Sequence, residues 1–65
     1  MKMLEVKSWS GSMFFIALEK IISIREEPGD PTRCRIYVQG GGDSSDELFV
    51  DEGINTVRAR YEMAL

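Results

Sequence analysis

The 65-residue sequence predicts a mainly β domain with one C-terminal helix. The expected form is a small antiparallel meander of four to five strands, left open or curled into a barrel-like shape, and capped by the helix. Three observations lead there. Apolar runs are separated by turn signals, Ser10–Gly11 in one place and Pro28–Gly29–Asp30–Pro31 in another. The run Arg33–Gln39 alternates strictly in polarity, as a half-buried strand does. After Gly53 the apolar spacing changes from every second residue to every third or fourth, the period of a helix. A chain of this length makes a single domain, residues 1–65.

The first strand, about 2–9, covers "MLEVKSW", whose apolar residues alternate. The Ser-Gly-Ser turn joins it in a hairpin to a second strand, "MFFI", about 13–16. The stretch "SMFFIALEKIISIREE", Ser12–Glu27, has two readings. As a helix it places Phe14, Ala17, Leu18 and Ile21 on one stripe, with Ser12 as a cap. Phe15, Ile16 and Ile22 then fall off the stripe, and no Glu or Gln completes a capping box. Phe and Ile also prefer pleated surfaces. The reading adopted is two strands around a short turn through Ala17–Lys20, the third strand running about 21–27.

Pro28 and Pro31 are expected to stop the ladder, with Gly29 free to take a positive φ. The fourth strand, about 33–39, sets Cys34, Ile36 and Val38 on one face and Arg33, Arg35, Tyr37 and Gln39 on the other. "GGGDSSD", from Gly40 to Asp46, reads as a flexible polar loop, and "ELFVD", about 47–51, as a short last strand. In the helix, about 53–64, Ile54, Val57, Tyr61, Ala64 and Leu65 share one face, while Arg58, Arg60 and Glu62 point away. Asp51 and Glu52 suit the positive end of its dipole, and Asp51 or Gly53 is the expected N-cap. The inward set is Leu4, Val6, Ile22, Ile24, Cys34, Ile36, Val38, Leu48 and Val50.

Composition narrows the function. Chains below roughly 70–80 residues often add a disulfide, a metal or a partner subunit to a modest core. Cys34 is the one cysteine and there is no His, so neither a bridge within the chain nor a His/Cys metal site is expected. Self-association remains, with a dimer favoured. Cys34 stands between Arg33 and Arg35 and reads as a buried structural thiol. A net charge of −3 argues against nonspecific binding to nucleic acid or anionic membrane. No segment has the roughly 20 apolar residues of a membrane span, and charge comes too early for a signal peptide, so the chain reads as cytoplasmic.

The second sheet face is the informative one. It should be polar in a self-sufficient monomer. Instead it carries Met3, Trp9, Tyr37 and Phe49 among Lys7, Arg25, Arg33 and Arg35. Trp, Tyr and Arg are enriched at interface hot spots, so the four apolar residues are the interface candidates. Closure into a barrel would instead fold these rings into one core.

The segments "SGSMFFIAL", "EKIISIREEPGD", "CRIYVQGG", "ELFVDEG" and "INTVRARY" follow an order of turns and runs similar to the FlbD-type flagellar and swarming motility family. The resemblance spans nearly the whole chain at the level of pattern. Ser10–Gly11 and Gly40–Gly41 stand where that family has Asn-Gly, and the loop Gly42–Asp46 is longer. The resemblance implies a sheet-plus-helix layout and carries over no catalytic residue. Small phage and mobile-element proteins have a similar look.

No catalytic motif emerges. "VQGGGDSSDE" lacks the Gly-Lys-Ser/Thr of a phosphate-binding loop, and the acidic cluster Asp43–Glu52 lacks EF-hand spacing. The serines have no His to activate them. The expected function is therefore a non-enzymatic interaction or accessory module without cofactor, acting through self-association and binding of a larger partner protein. The alternative is a binder or sequesterer of a nucleotide or other phosphate ligand. In that reading Arg25, Arg33 and Arg35 hold the phosphate and Tyr37 or Trp9 stacks on a base. The same arginines have cross-strand carboxylates available as partners, Glu5, Glu26, Glu27 and Glu47.

Overall fold

A computed structural model describes residues 2–40 and 44–65. The elements run β1 (Met3–Lys7), β2 (Met13–Ala17), a single 3-10 turn (Leu18–Lys20), β3 (Ile21–Glu27), β4 (Asp30–Gln39), β5 (Ser45–Val50) and α1 (Ile54–Ala64). The fold is mainly β with one C-terminal helix. Leu18–Lys20 is a turn between strands and not the middle of a helix, because the β-rich runs on both sides find partners of their own; Ala17, expected in the turn, is the last residue of β2. Gly41, Gly42 and Asp43 of the expected polar loop lie outside the described residues.

The strands form two antiparallel sheets, β1–β2 and β3–β4–β5, and not a closed barrel. The chain leaves β2 through the 3-10 turn, and β3 then pairs with β4. The two sheets meet where Ser8 bridges Val50 and the Asp51 N–H donates to the Lys7 carbonyl at 2.8 Å. The end of β1 thus lies beside the end of β5.

The turns of the β1–β2 and β3–β4 hairpins follow from their residues. In Ser8–Gly11 the Gly11 N–H donates to the Ser8 carbonyl at 3.0 Å, and Gly11 has φ +93°. A three-residue hairpin loop needs such a left-handed last residue. Trp9 therefore sits in the turn and not at the end of a strand. Between β3 and β4, Pro28 and Gly29 (φ +79°) occupy the corners, while Glu27 pairs with Asp30. Asp30 Oδ1 accepts from the Thr32 N–H at 2.9 Å and from its hydroxyl at 2.6 Å, holding the Asp30 carboxyl below its usual range.

Pro31 does not stop the ladder as expected; it lies inside β4. Glu26 faces Cys34 while Glu27 faces Asp30, so Pro31–Arg33 bulge out of register. Proline's missing N–H costs no ladder bond there.

The buried core is Leu4, Val6, Ile16, Leu18, Cys34, Ile36, Val50 and Val57. Phe14, Ile21, Ile24, Val38, Leu48, Ile54, Tyr61 and Ala64 pack against it. One member of the expected inward set is wrong: Ile22 is 60% exposed. Ile21 faces Val38 and Ile24 faces Ile36, so β3 holds one extra residue at this point. The bulge turns Ile21 inward and Ile22 out, which simple alternation does not foresee.

In α1 Gly53 is the N-cap by its backbone, and its carbonyl accepts from the Val57 N–H at 3.1 Å. Val57 is fully buried, whereas Leu65 is exposed and leaves the expected face. Arg60 also departs from expectation. It turns back toward β1, where it meets Glu52 and the Glu5 carbonyl. Lys2 closes the other end by donating its ammonium to the Leu65 carbonyl.

Candidate interaction surface

The outer face of β3–β4–β5 carries an interleaved set of rings and guanidinium groups. The pairing of β4 with β5 sets Arg35 opposite Phe49 and Tyr37 opposite Glu47. The Ser8–Val50 bridge brings the first turn to the same place, so Trp9 reaches Phe49 with ring centroids 5.0 Å apart and planes tilted by 54°. Each ring has an arginine against its face. Arg33 lies 4.3 Å from the Trp9 centroid, Arg25 5.1 Å from that of Tyr37, and Arg35 5.2 Å from that of Phe49. Such contacts orient the planar guanidinium groups along the ring faces.

Carboxylates hold the same arginines from the side. Arg35 makes a two-pronged pair with Glu27, Nε to Oε2 at 2.5 Å and Nη2 to Oε1 at 2.8 Å, and a longer contact with Glu47 at 3.4 Å. Donation from Arg35 holds the Glu27 carboxyl below its usual range, and Glu27 pushes Arg35 up in turn. Arg33 donates to Asp51 at 3.2 Å, with Asp30 at 3.8 Å. Arg25 stands directly opposite Arg35, a like-charge pair that is unfavourable by itself. Each has a favourable contact of its own, Arg25 with the Tyr37 ring and Arg35 with Glu27.

Three of the four interface candidates, Trp9, Tyr37 and Phe49, thus share one neighbourhood. Trp9 is 42% exposed and Phe49 41%, while Tyr37 is half-buried. Met3 does not join them. It pairs with Ala17 at the far end of β1, on the outer face of the other sheet. There it belongs with Met13 and Phe15, which are 53% and 62% exposed. The sequence reading passed over those two. Their signal was the alternation of "MFFIA", where burying Phe14 and Ile16 turns Met13 and Phe15 outward.

The phosphate candidates divide. Arg33 and Arg35 are engaged by carboxylates, and Arg25 has no ion pair among the described residues. A shallow cleft of about 300 Å³ beside Trp9 is lined by Ser8, Phe14, Leu48 and Phe49 and contains no arginine. Cys34 is fully buried, and burial with the nearby charge of Glu52 pushes its thiol up to about 11.

No cluster of three or more His, Cys, Asp or Glu among the described residues is placed to hold a metal ion. No helix there is long and apolar enough to cross a membrane. Compared with models of protein families, with curated proteins and with solved structures, the chain finds no match.

Proposed function

We propose that the protein is a non-enzymatic interaction module that self-associates and presents the Trp9–Phe49 face to a partner protein. The observation that carries this is the exposed ring pair with Arg33 and Arg35 already fixed against it. Side chains ordered before binding lose little freedom on contact. Trp and Arg anchors of this kind dominate the energy of protein interfaces. The resemblance to FlbD-type proteins fits an accessory role of this sort. A phosphate-binding role has less support, since Arg33 and Arg35 would first have to leave Asp51 and Glu27.

Two measurements test the reading. In sedimentation, the mass should rise above that of one chain as concentration increases; a monomer at every concentration overturns self-association. In affinity capture, a protein held by the wild type should be lost from both Trp9→Ala and Phe49→Ala, with circular dichroism and melting unchanged. Identical capture by wild type and variants overturns the role of this face.

A further inference from the structure

The ladder between β1 and β2 fixes which backbone groups of β2 are left over. The Leu18 N–H donates to the Lys2 carbonyl at 3.1 Å, and the Ser8 N–H to the Ser12 carbonyl at 2.8 Å. Hydrogen-bonded and non-bonded pairs alternate along an antiparallel ladder. With the observed register, Leu4–Ile16 and Val6–Phe14 are the bonded pairs between those two ends. The N–H and C=O groups of Met13 and Phe15 and the N–H of Ala17 therefore point away from β1, toward an edge that no other strand occupies among the described residues, while the Ala17 carbonyl, at the N-cap of the 3-10 turn, already accepts within that turn.

Exposed strand edges are templates for further pairing, and proteins blunt them with charges, bulges or cover. The other edges here are treated in that way, that of β5 by Asp46 and Glu47 and by its bridge to Ser8. β3 carries a bulge at Ile22 and the run Arg25–Glu26–Glu27. The second edge of β1 is taken up by Glu52 on the Lys7 N–H, Asp51 on the Lys7 carbonyl and Arg60 on the Glu5 carbonyl. β2 has none of these devices. Its sequence is Met-Phe-Phe-Ile-Ala, and no charged residue occurs between Lys7 and Glu19.

We infer that this edge pairs with the same edge of a second copy, antiparallel, about a two-fold axis that passes between the two Phe15 residues. The inference rests on the self-association part of the function proposed above and assigns it to β2. Groups at 13, 15 and 17 are symmetric about that axis. Phe15 pairs with its own copy, and Met13 with the copy's Ala17. Two hydrogen bonds in the Phe15 pair and one from the Ala17 N–H to the Met13 carbonyl in each flanking pair give about four in all. On the outer face the two Phe15 rings meet at the axis. Each Met13 lies between Lys7 of its own hairpin and the copy's Ala17, with the copy's Met3 beyond, a large-to-small fit. The central row reads Glu5–Phe15–Phe15–Glu5 across the two copies. The two Glu5 charges then stand three strand spacings apart, roughly 14 Å, beyond strong repulsion at physiological salt. The Trp9–Phe49 face stays uncovered and available to another partner. A five-residue edge falls below the standard interface size, so the dimer is a weak one.

Backbone hydrogen exchange of the wild type gives the direct test. From dilute to concentrated solution, the amides of Phe15 and Ala17 should become protected, while those of Phe14 and Ile16 are protected throughout. Phe15→Lys removes the ring pair and sets two ammonium groups at the axis, and should weaken dimerisation roughly tenfold or more. The monomer fold should persist, because this side chain is exposed and its N–H is outside the β1 ladder. A dimer that Phe15→Lys leaves intact, with the two amides exchanging at one rate at all concentrations, overturns the edge assignment while self-association stands. A wild type that stays monomeric throughout removes both.

Discussion

Arg60 offers the sharpest test of how the helix is held to the sheets. Its Nη1 donates to Glu52 Oε2 at 2.8 Å and to the Glu5 carbonyl at 2.7 Å, and its Nη2 to Glu52 Oε1 at 2.8 Å. Glu52 in turn accepts from the Lys7 N–H at 3.1 Å. One guanidinium thus ties α1, the segment before it and β1 together. Arg60→Ala removes three charge-assisted bonds and leaves the Glu52 carboxylate with the Lys7 N–H alone. Hydrogen bonds to charged groups contribute about 1.5–3 kcal/mol net when buried, and exposed ion pairs about 0–1 kcal/mol. The side chains are 38% and 19% exposed, between those limits, so the expected loss is about 1.5–2 kcal/mol. For a domain this small that lowers the melting temperature by roughly 6–16 °C. Arg58 is the internal control. It lies on the same helix, its contact with Glu62 is 3.7 Å long, and both side chains are about two-thirds exposed. Arg58→Ala should stay within about 0.5 kcal/mol of wild type. Denaturant titration followed by Trp9 fluorescence measures both variants. If Arg60→Ala costs no more than Arg58→Ala, the clamp contributes nothing and the reasoning fails.

Acid should act through the same group. The bond from Arg60, with help from the Lys7 N–H, holds the Glu52 carboxyl below its ordinary value of 4.5. A carboxylate lowered in the folded state stabilises it fully above the ordinary value and loses that effect as pH falls through the lowered one. Melting temperature should therefore drop as pH falls below about 5, with a shallower slope in Glu52→Gln; equal slopes would refute the assignment. The buried Cys34 thiol, raised to about 11, should not react with a disulfide reagent near neutral pH until the chain unfolds. Rapid labelling of native protein would contradict that burial. Gly53→Ala should destabilise by about 1 kcal/mol or more, since an added Cβ would lie 2.9 Å from the Pro31 carbonyl oxygen. The φ of −67° there suits alanine, so an unchanged or raised melting temperature would mean that the Pro31 backbone gives way freely.

Much of the fold was legible because local rules and tertiary packing agree. Gly11 and Gly29 mark the β1–β2 and β3–β4 turns with positive φ, and the alternation of Cys34, Ile36 and Val38 puts their strand the right way round. Ile22 was misread because a bulge is a property of two paired strands, and nothing in "IISIREE" alone shows where its partner will slip. Pro31 was misread for the same reason. Arg60 looked solvent-facing because helical periodicity describes where Cβ points, while a long side chain can curl back to a half-buried carboxylate. The neighbourhood of Trp9 and Phe49 was half legible. Alternation turned Phe49 outward, but bringing Trp9 to it needed the Ser8–Val50 bridge, a contact across most of the chain. The unprotected β2 edge could be seen only once the register showed which amides remained.

The junction between the two sheets also has a kinetic consequence. The hairpins β1–β2 and β3–β4 close over short loops, whereas the contacts that join them are distant in sequence. Lys7 meets Glu52 across 45 residues, and Glu5 meets Arg60 across 55. Closing long loops costs entropy before it returns contacts, so such junctions tend to form late on the folding path. Interactions absent from the transition state govern how fast a protein unfolds and barely alter how fast it folds. The Glu52–Arg60 clamp should thus act as a latch: Arg60→Ala should steepen the loss of the native state in time while refolding proceeds at nearly the wild-type rate. A chevron in which the folding limb drops instead would place the junction in the nucleus.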